Sequence, residues 1–296
     1  MSRSVRMDNG SYASEDEPII HMAGLAIAED FDYPNPSEPR RHSPNGRGAG
    51  TRPQETKYPS LPPITSFQRQ IGRPIKFTPG CREFPAPRDQ DPLTLFKPMI
   101  NACTIPELRY IRIDRDGKPS VLLFTDGAAL DNGRETVRAG CGVVIVPFSD
   151  GLSFPLERVN DEPLTSNRGE LRAAVEALRL RVWTGEGFKK IVIGTDSEYM
   201  VKGVNEWYLK WQRNGWKTNN GKRVKNKDLW EMLIIEIEKW EKFGVPVQFY
   251  LMKRRFNKAD VAAKKAALLK DVPTTFCQAI YLPDVNAHAH LDQYEF

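Results

Sequence analysis

LLFTDGAAL, residues 122–130, sets an acid in the middle of an apolar run. Leu, Leu, Phe and Thr closed by Asp-Gly read as a strand running into a turn, so that Asp126 ends the strand, and turn chemistry alone accounts for an aspartate there. The candidate strand reaches back to PSVLLFTD, and AGCGVVIVPF (139–148) and LSFPLERV (152–159) follow as two more, joined by loops short enough for an antiparallel meander. In NRGELRAAVEALRLRV, Leu171, Ala174, Val175, Leu178 and Val182 recur at helical spacing, which predicts one helix face lying on the sheet. KKIVIGTD then reads as a fourth strand, SEYMVKGVNEWYLKWQRN as a helical stretch, KNKDLWEMLIIEIEKWEKF as a long amphipathic helix, VPVQFYLM as a fifth strand and KADVAAKKAALLK as a last helix. Three strands followed by alternating helices and strands predict a mixed α/β sheet with helices on its faces.

Around that block the chain changes character. It has 296 residues, 40% of them hydrophobic, which is enough for a full core, but fifteen of its 23 prolines fall before residue 100. With the Ser, Gly and Arg of RRHSPNGRGAGTRPQ (40–54) they predict a disordered N-terminal region over residues 1–75, since such a segment buries too little apolar surface to offset chain entropy. Residues 76–118 are Pro-rich but carry aromatics, as in CREFPAPRDQDPLTLF, and read as an extended arm packed on the domain. The domain itself spans 119–271, and 272–296 is a C-terminal tail, expected to be mobile. No internal repeat is visible.

No stretch approaches the roughly 18–20 apolar residues of a membrane helix, and the N-terminus has no signal-peptide core, so an intracellular protein, nuclear or cytoplasmic, is expected. The four cysteines, Cys81, Cys103, Cys141 and Cys277, form no C-x-x-C pair and argue against a zinc site or a disulfide framework. A net charge of +5 names no partner by itself.

Acids sit at the joints of the predicted elements. Asp126 closes the first strand, Glu170 lies in the first turn of the first helix, Asp196 ends the fourth strand in GTDSEY, and Asp260 opens the last helix in NKAD. Each has a plain explanation: Glu170 and Asp260 both follow an Asn by three, the spacing of a capping box, and Asp196 is placed to cap the next helix. Together they resist it, because strand ends and helix starts in such a sheet converge on one edge. Four carboxylates crowded there repel one another unless cations bind. Hard divalent ions with oxygen ligands suit them, and a pair roughly 4 Å apart suits phosphodiester hydrolysis.

FTDGAALDN, SNRGEL, GTDSEYMVKGVNEW and WQRNGWKTNNGKRVKNKDLWEML resemble, in order and spacing, the motifs of type 1 ribonuclease H. The resemblance spans about residues 119–270, roughly half of the chain. It implies a ribonuclease H-like five-stranded mixed sheet flanked by helices and a metal-dependent endonuclease that cuts the RNA strand of RNA/DNA hybrids with two Mg2+ ions, for which Mn2+ can substitute. Asp126, Glu170 and Asp196 match the family's first three acidic ligands, and Asp260 is the candidate for the fourth; Asp126 would bridge both metals. The mechanism implied is in-line attack by a metal-activated water on the RNA phosphate, leaving a 5′ phosphate and forming no covalent intermediate.

Residues 202–227 hold eight Lys or Arg and a single acid, Glu206, interleaved with Trp207, Tyr208, Trp211 and Trp216. Trp207 and Trp211 are at helical spacing, so packing the helix on its neighbour competes with nucleic-acid contact for each tryptophan. Lys217, Lys222 and Arg223 belong to a run unbalanced enough for phosphate contacts, though charge runs are often only solvated faces. By resemblance, Asn132 and Asn167 match positions that reach bases or sugars in the minor groove, where 2′-hydroxyls distinguish RNA from DNA.

The departures are specific. Family members commonly carry a His in the loop before the last acid; here that loop, MKRRFNKAD, is several residues shorter and has none, and His21, His42, His288 and His290 all lie outside the domain. Its absence points to a slower or altered enzyme. Arg254 or Arg255 can hold the leaving product by charge, against the plainer reading of solvated surface arginines. Glu198 stands where the resemblance leads to a neutral groove contact, and reads most simply as an exposed helix residue. His288 and His290 in NAHAHLD do not make a metal site on their own. The hybrid-binding module that precedes the nuclease in many eukaryotic members is not recognisable in the N-terminal region. A monomeric hybrid-cutting enzyme is expected; the alternatives are a binding protein of the same fold with weak or lost turnover, and a nuclease of the wider class acting on DNA or double-stranded RNA.

Overall fold

The computed structural model describes residues 82–101, 106–131 and 137–279. The expectation of disorder over residues 1–75 lies outside them, as do Asn132 and the four histidines. The elements in chain order are α1 (Pro92–Leu95), β1 (Lys97–Ile100), β2 (Leu108–Ile113), β3 (Pro119–Leu130), β4 (Arg138–Val144), β5 (Leu152–Pro155), α2 (Ser166–Arg179), β6 (Lys190–Thr195), α3 (Glu198–Lys202), α4 (Tyr208–Arg213), α5 (Lys227–Lys242), β7 (Val247–Leu251) and α6 (Asp260–Ala266). A π-helical turn, Gly203–Trp207, joins α3 to α4, and a 3-10 turn, Arg254–Phe256, precedes α6.

β3 organises the sheet. Along its N-terminal half it pairs antiparallel with β2 (Leu122 opposite Tyr110) and parallel with β6 (Leu122 opposite Val192); along its C-terminal half it pairs antiparallel with β4 (Phe124 opposite Val144 through Leu130 opposite Arg138). A strand has two edges, so β2 and β4 share one edge of β3 end to end and β6 takes the other. β5 extends the β4 side, β7 pairs parallel with β6, and β1 forms a hairpin-like pair on β2. The mixed sheet with helices is as expected, and its five expected strands are β3, β4, β5, β6 and β7. Among the described residues it has seven strands because two more, β1 and β2, come from the segment read as an extended arm. LRYIRI is rich in the β-branched and aromatic residues of a strand, a signal that the surrounding prolines obscure.

Period-two alternation along β3 divides the core. Val121 and Leu123 face α2 and the long helix α5, within a cluster that includes Leu171, Leu178, Trp230 and Leu233. Leu122 and Phe124 face the opposite side, where Phe84, Phe96 and Tyr110 from the arm region meet Tyr250 and Met252. Being covered on both faces, β3 is a continuous apolar run rather than an alternating one. Further along, Ala128 packs on Ala263 of the last helix and on Ala267 at its C-cap.

Where the sequence suggested that Asp126 ends a strand, β3 runs on four residues to Leu130, with Asp126 opposite Gly142. Gly127 is extended strand and not a turn: a Cβ there would lie 2.1 Å from the Glu170 backbone N, so the missing side chain admits α2 against the strand. Residues 272–279, read as part of a mobile tail, are held on the domain: Arg158 N donates to Pro273 O (2.8 Å) and Ala279 N to the Glu176 carboxylate (2.9 Å).

Candidate active site

The parallel pairing of β3 with β6 ends at Phe124 opposite Gly194. Two residues on, the strands part, and each then carries an acid: Asp126 on β3, Asp196 just past β6. The close approach of α2 to Gly127 adds Glu170 to the same place. Sheet register and one missing Cβ thus converge three carboxylates from three separate segments, at the carboxyl end of the parallel strands where crevices form.

Glu170 lies in the second turn of α2 and not in the first. The helix is capped by Thr165, whose hydroxyl accepts from Arg168 N at 3.2 Å, and Asn167 is exposed in the first turn, so the capping-box reading of Asn167 and Glu170 does not hold. The cap of α3 is Ser197 and not Asp196; its Oγ accepts from Met200 N (3.2 Å) and donates a short hydrogen bond to Glu170 Oε2. Nor does Asn257 cap Asp260. It is buried, donating through Nδ2 to Thr125 O (3.0 Å) and Asp196 Oδ1 (2.8 Å), while its Oδ1 accepts from Ala259 N (3.1 Å). The sequence reading missed Asn257 as a positioning residue because three-residue spacing to an acid has a ready local explanation.

Asp126 is 3% exposed. Its Oδ1 accepts from Gly127 N at 2.8 Å, and its Oδ2 is buried without a hydrogen-bond partner among the described residues. Burial, then repulsion from Asp196 and, to a smaller extent, Glu170, pushes its carboxyl up to about 7 against the pull of the Gly127 amide. Glu170 is likewise pushed up to about 7, by burial first and by Asp196, although the Ser197 hydroxyl favours its charged form.

Asp260 is in a different state. Arg254 Nε donates to its Oδ1 at 2.8 Å and Lys264 Nζ meets its Oδ2 at 2.6 Å, so both oxygens already have cationic partners. Partial burial works the other way, but Lys264 and Arg254 hold this carboxyl below the usual range. Asp260 first, and Asp126 and Asp196 at longer range, raise the Arg254 guanidinium further above its ordinary value. Arg255 stands apart from them, over the Phe256 ring at 4.6 Å.

The donor set suits a hard divalent cation. It offers carboxylate oxygens, one of them buried and unpartnered, whose mutual repulsion a bound cation relieves. Among the described residues no three acids are drawn to a common point as a finished cage, and one oxygen of Glu170, Oε2, is taken by Ser197.

The basic stretch runs from α3 through α4 and a short Lys217–Arg223 bridge to the start of α5. Its aromatics pack one on the next: Trp207 on Trp211 (5.7 Å), Trp211 on Trp216 (6.3 Å) and Trp211 on Trp230 of α5 (5.4 Å). This favours packing as the main role of Trp207 and Trp211, though both keep an edge on a shallow groove with Lys210, Asn214, Lys217 and Thr218. Trp216 carries Lys227 over its ring at 5.7 Å. Lys217 and Lys222 are exposed, and Arg223 pairs at the surface with Glu162 (3.3 Å). Glu198 is half-exposed, paired with Arg88 of the arm and, at 3.2 Å, with Lys202.

The RNase H family profile matches residues 118–248, which include Asp126, Glu170 and Asp196 but stop short of Asn257 and Asp260. A ribonuclease H of Cyanothece sp. is 40% identical over 111 residues, 38% of this chain and 66% of that protein. Ribonuclease H of Dechloromonas aromatica is 36% identical over 125 residues, 40% of this chain and 74% of its own length. Mouse ribonuclease H1 is 35% identical over 112 residues, 37% of this chain and 36% of that protein. The chain thus spans just under two thirds of the cyanobacterial relative and about a third of the mouse one. Identity of this depth over about three quarters of a curated relative, with a profile match that takes in Asp126, Glu170 and Asp196, makes the chain a member of the ribonuclease H family.

Proposed function

We propose that this protein is an endonuclease that hydrolyses the RNA strand of RNA/DNA hybrids. The observation that carries the reading is the convergence of Asp126, Glu170 and Asp196 at the end of the parallel strands, with a buried carboxylate oxygen left without a partner. These three side chains would hold a pair of Mg2+ ions, with Mn2+ as a substitute, and Asp260 would join them once its ion pair with Arg254 opens. Bound there, the metals supply an activated water and stabilise the leaving 3′ oxygen. Asn257 fixes the Asp196 carboxylate, Ser197 holds Glu170 within reach, and Arg254 brings a fixed positive charge beside the reacting phosphate, in the loop where the sequence has no histidine. Lys217, Lys222 and Arg223 would grip backbone phosphates, with Trp216 and the edges of Trp207 and Trp211 beside them. Asn167, exposed at the start of α2, and Asn132 would reach the minor groove.

The test is incubation of the purified protein with labelled hybrid, duplex RNA and duplex DNA, with and without Mg2+. Hybrid cut only with metal, leaving 5′ phosphates, is the expected result. Binding without cutting would mean a family member that has lost turnover, and cutting of the duplexes would assign it to another substrate. The ion pairs on Asp260 favour slow turnover over none, because they are exchangeable surface contacts.

A further inference from the structure

The arm ahead of β1 is tied to the two segments that flank Asp196. Phe84 N donates to Phe249 O (2.9 Å) and Phe249 N to Arg82 O (2.7 Å), adding a short parallel bridge to β7. Arg82 is pinned to Glu241 of α5 at 2.8 Å. The Tyr250 hydroxyl donates to Gln90 O (2.8 Å), and Lys253 N, at the start of the loop carrying Arg254 and Asn257, donates to Arg88 O (3.0 Å). On its other side the Arg88 guanidinium reaches Glu198, two residues after Asp196. The backbone of residue 88 is therefore fixed while its side chain, 46% exposed, holds Glu198 at the start of the helix that follows Asp196.

We propose that Arg88 is a nucleic-acid contact, and that residues 82–91 extend the substrate surface beyond the stretch that the family profile matches. This rests on the reading of the site as one that takes a hybrid. A carboxylate at position 198 would repel a backbone phosphate approaching the acids; Arg88 neutralises it and can exchange it for the phosphate, one anion for another, with planar donors suited to either. Glu198 is not stranded by the exchange, because Lys202 still holds it.

The experiment measures binding of a fluorescent RNA/DNA hybrid by the full chain in EDTA, over a range of salt, for wild type, Arg88→Ala and Glu198→Gln, with a melting curve for each. Arg88→Ala should weaken binding about five- to tenfold at low salt and flatten the log–log salt dependence by about one unit, the share of one phosphate. Glu198→Gln, which frees the guanidinium, should bind as tightly as wild type or a few-fold tighter. If Arg88→Ala keeps the wild-type slope and affinity, or if both variants lose binding equally, the pair is a structural tie and the proposal falls. Wild type that ignores the hybrid removes the reading of the site itself, whereas wild type that binds beside an unaffected Arg88→Ala removes only the role of the arm.

Discussion

Asp126 and Asn257 show how two side chains divide the work at the acidic site. Asp126 holds a charge that the apoprotein would be more stable without: it is buried, faces two other acids and has one oxygen unpartnered. Asp126→Asn should therefore raise the melting temperature of the metal-free protein by a few degrees, about 2–4 °C per kcal/mol recovered for a domain of this size. Cleavage of hybrid by the same variant should fall by more than about two orders of magnitude. A variant that is neither more stable nor less active would remove Asp126 from the proposed metal site. For Asn257, Ala leaves Thr125 O without its donor in the interior and should cost about 1–3 kcal/mol by urea titration. Asn257→Asp keeps the shape but sets a carboxylate against Asp196, at the place of a 2.8 Å hydrogen bond, and should lose more turnover than Ala at neutral pH. If Asp serves as well as Asn, the contact is packing alone. At this scale the sequence disclosed the three acids, because each stands in a distinctive local context, and concealed Asn257, whose partners lie 61 and 132 residues away.

The elements place the acids through close approach as much as through register. At Gly127 an added Cβ would collide with backbone at 2.1, 2.4 and 2.5 Å, whereas at Gly169 the nearest atoms lie at 3.1 Å. Gly127→Ala should thus cost about 3 kcal/mol or more and push Glu170 out of the site, while Gly169→Ala should be clearly milder. Urea midpoints with hybrid cleavage for the pair decide it, and equal effects would show that α2 can slide. The same contact explains why the end of β3 was illegible: Asp-Gly is a turn signal only when nothing requires a bare backbone beneath a helix. The start of α2 was misplaced for a related reason, since Thr165 and Asn167 are both good caps and only the path of the preceding loop selects between them. The interruption of the helical stretch after Lys202 also lies beyond local pattern, because a Cβ at Gly203 would come within 2.0 Å of the Trp230 ring on α5.

Across the whole molecule, buried ions tie distant segments together. Arg172 lies between Glu157 and Glu176, all three almost fully buried, and Cys277 O accepts from the same guanidinium. Arg172→Met would leave two acids buried without their cation and should cost about 3–5 kcal/mol, read as a fall in the urea midpoint. A second network joins Arg109, Arg181, Glu107 and Glu186. Burial opposes it, but Arg109 and Arg181 hold the Glu186 carboxyl below its ordinary range. A depressed folded value means the stabilisation is complete above the unfolded value of about 4.3 and is lost as pH falls through the folded one. Stability should accordingly drop on acidification from about pH 5 downward, and Glu186→Gln should flatten that decline, although it starts lower; an unchanged slope would remove Glu186 from the acid transition. None of these networks was visible in the sequence, where their members are scattered charges. The five central strands were legible because alternation and apolar runs are local; β1 and β2, which pair with near neighbours, were hidden by the prolines around them, and the docking of residues 273–279 depends on partners about a hundred residues earlier.

That last docking sets an order of events during synthesis. The ribosome delivers Glu157, Arg172 and Glu176 long before Cys277 and Ala279, whose backbones lie 105 residues beyond Arg172 and 103 beyond Glu176. In the interval α2 can settle on the growing sheet, but the Glu176 Oε1 that Ala279 will serve is still waiting for its donor. A nascent chain arrested before residue 273 should hold α2 loosely and be cut there by a protease that spares the released protein. The last described segment of the chain thus acts as a latch on a helix made a hundred residues earlier.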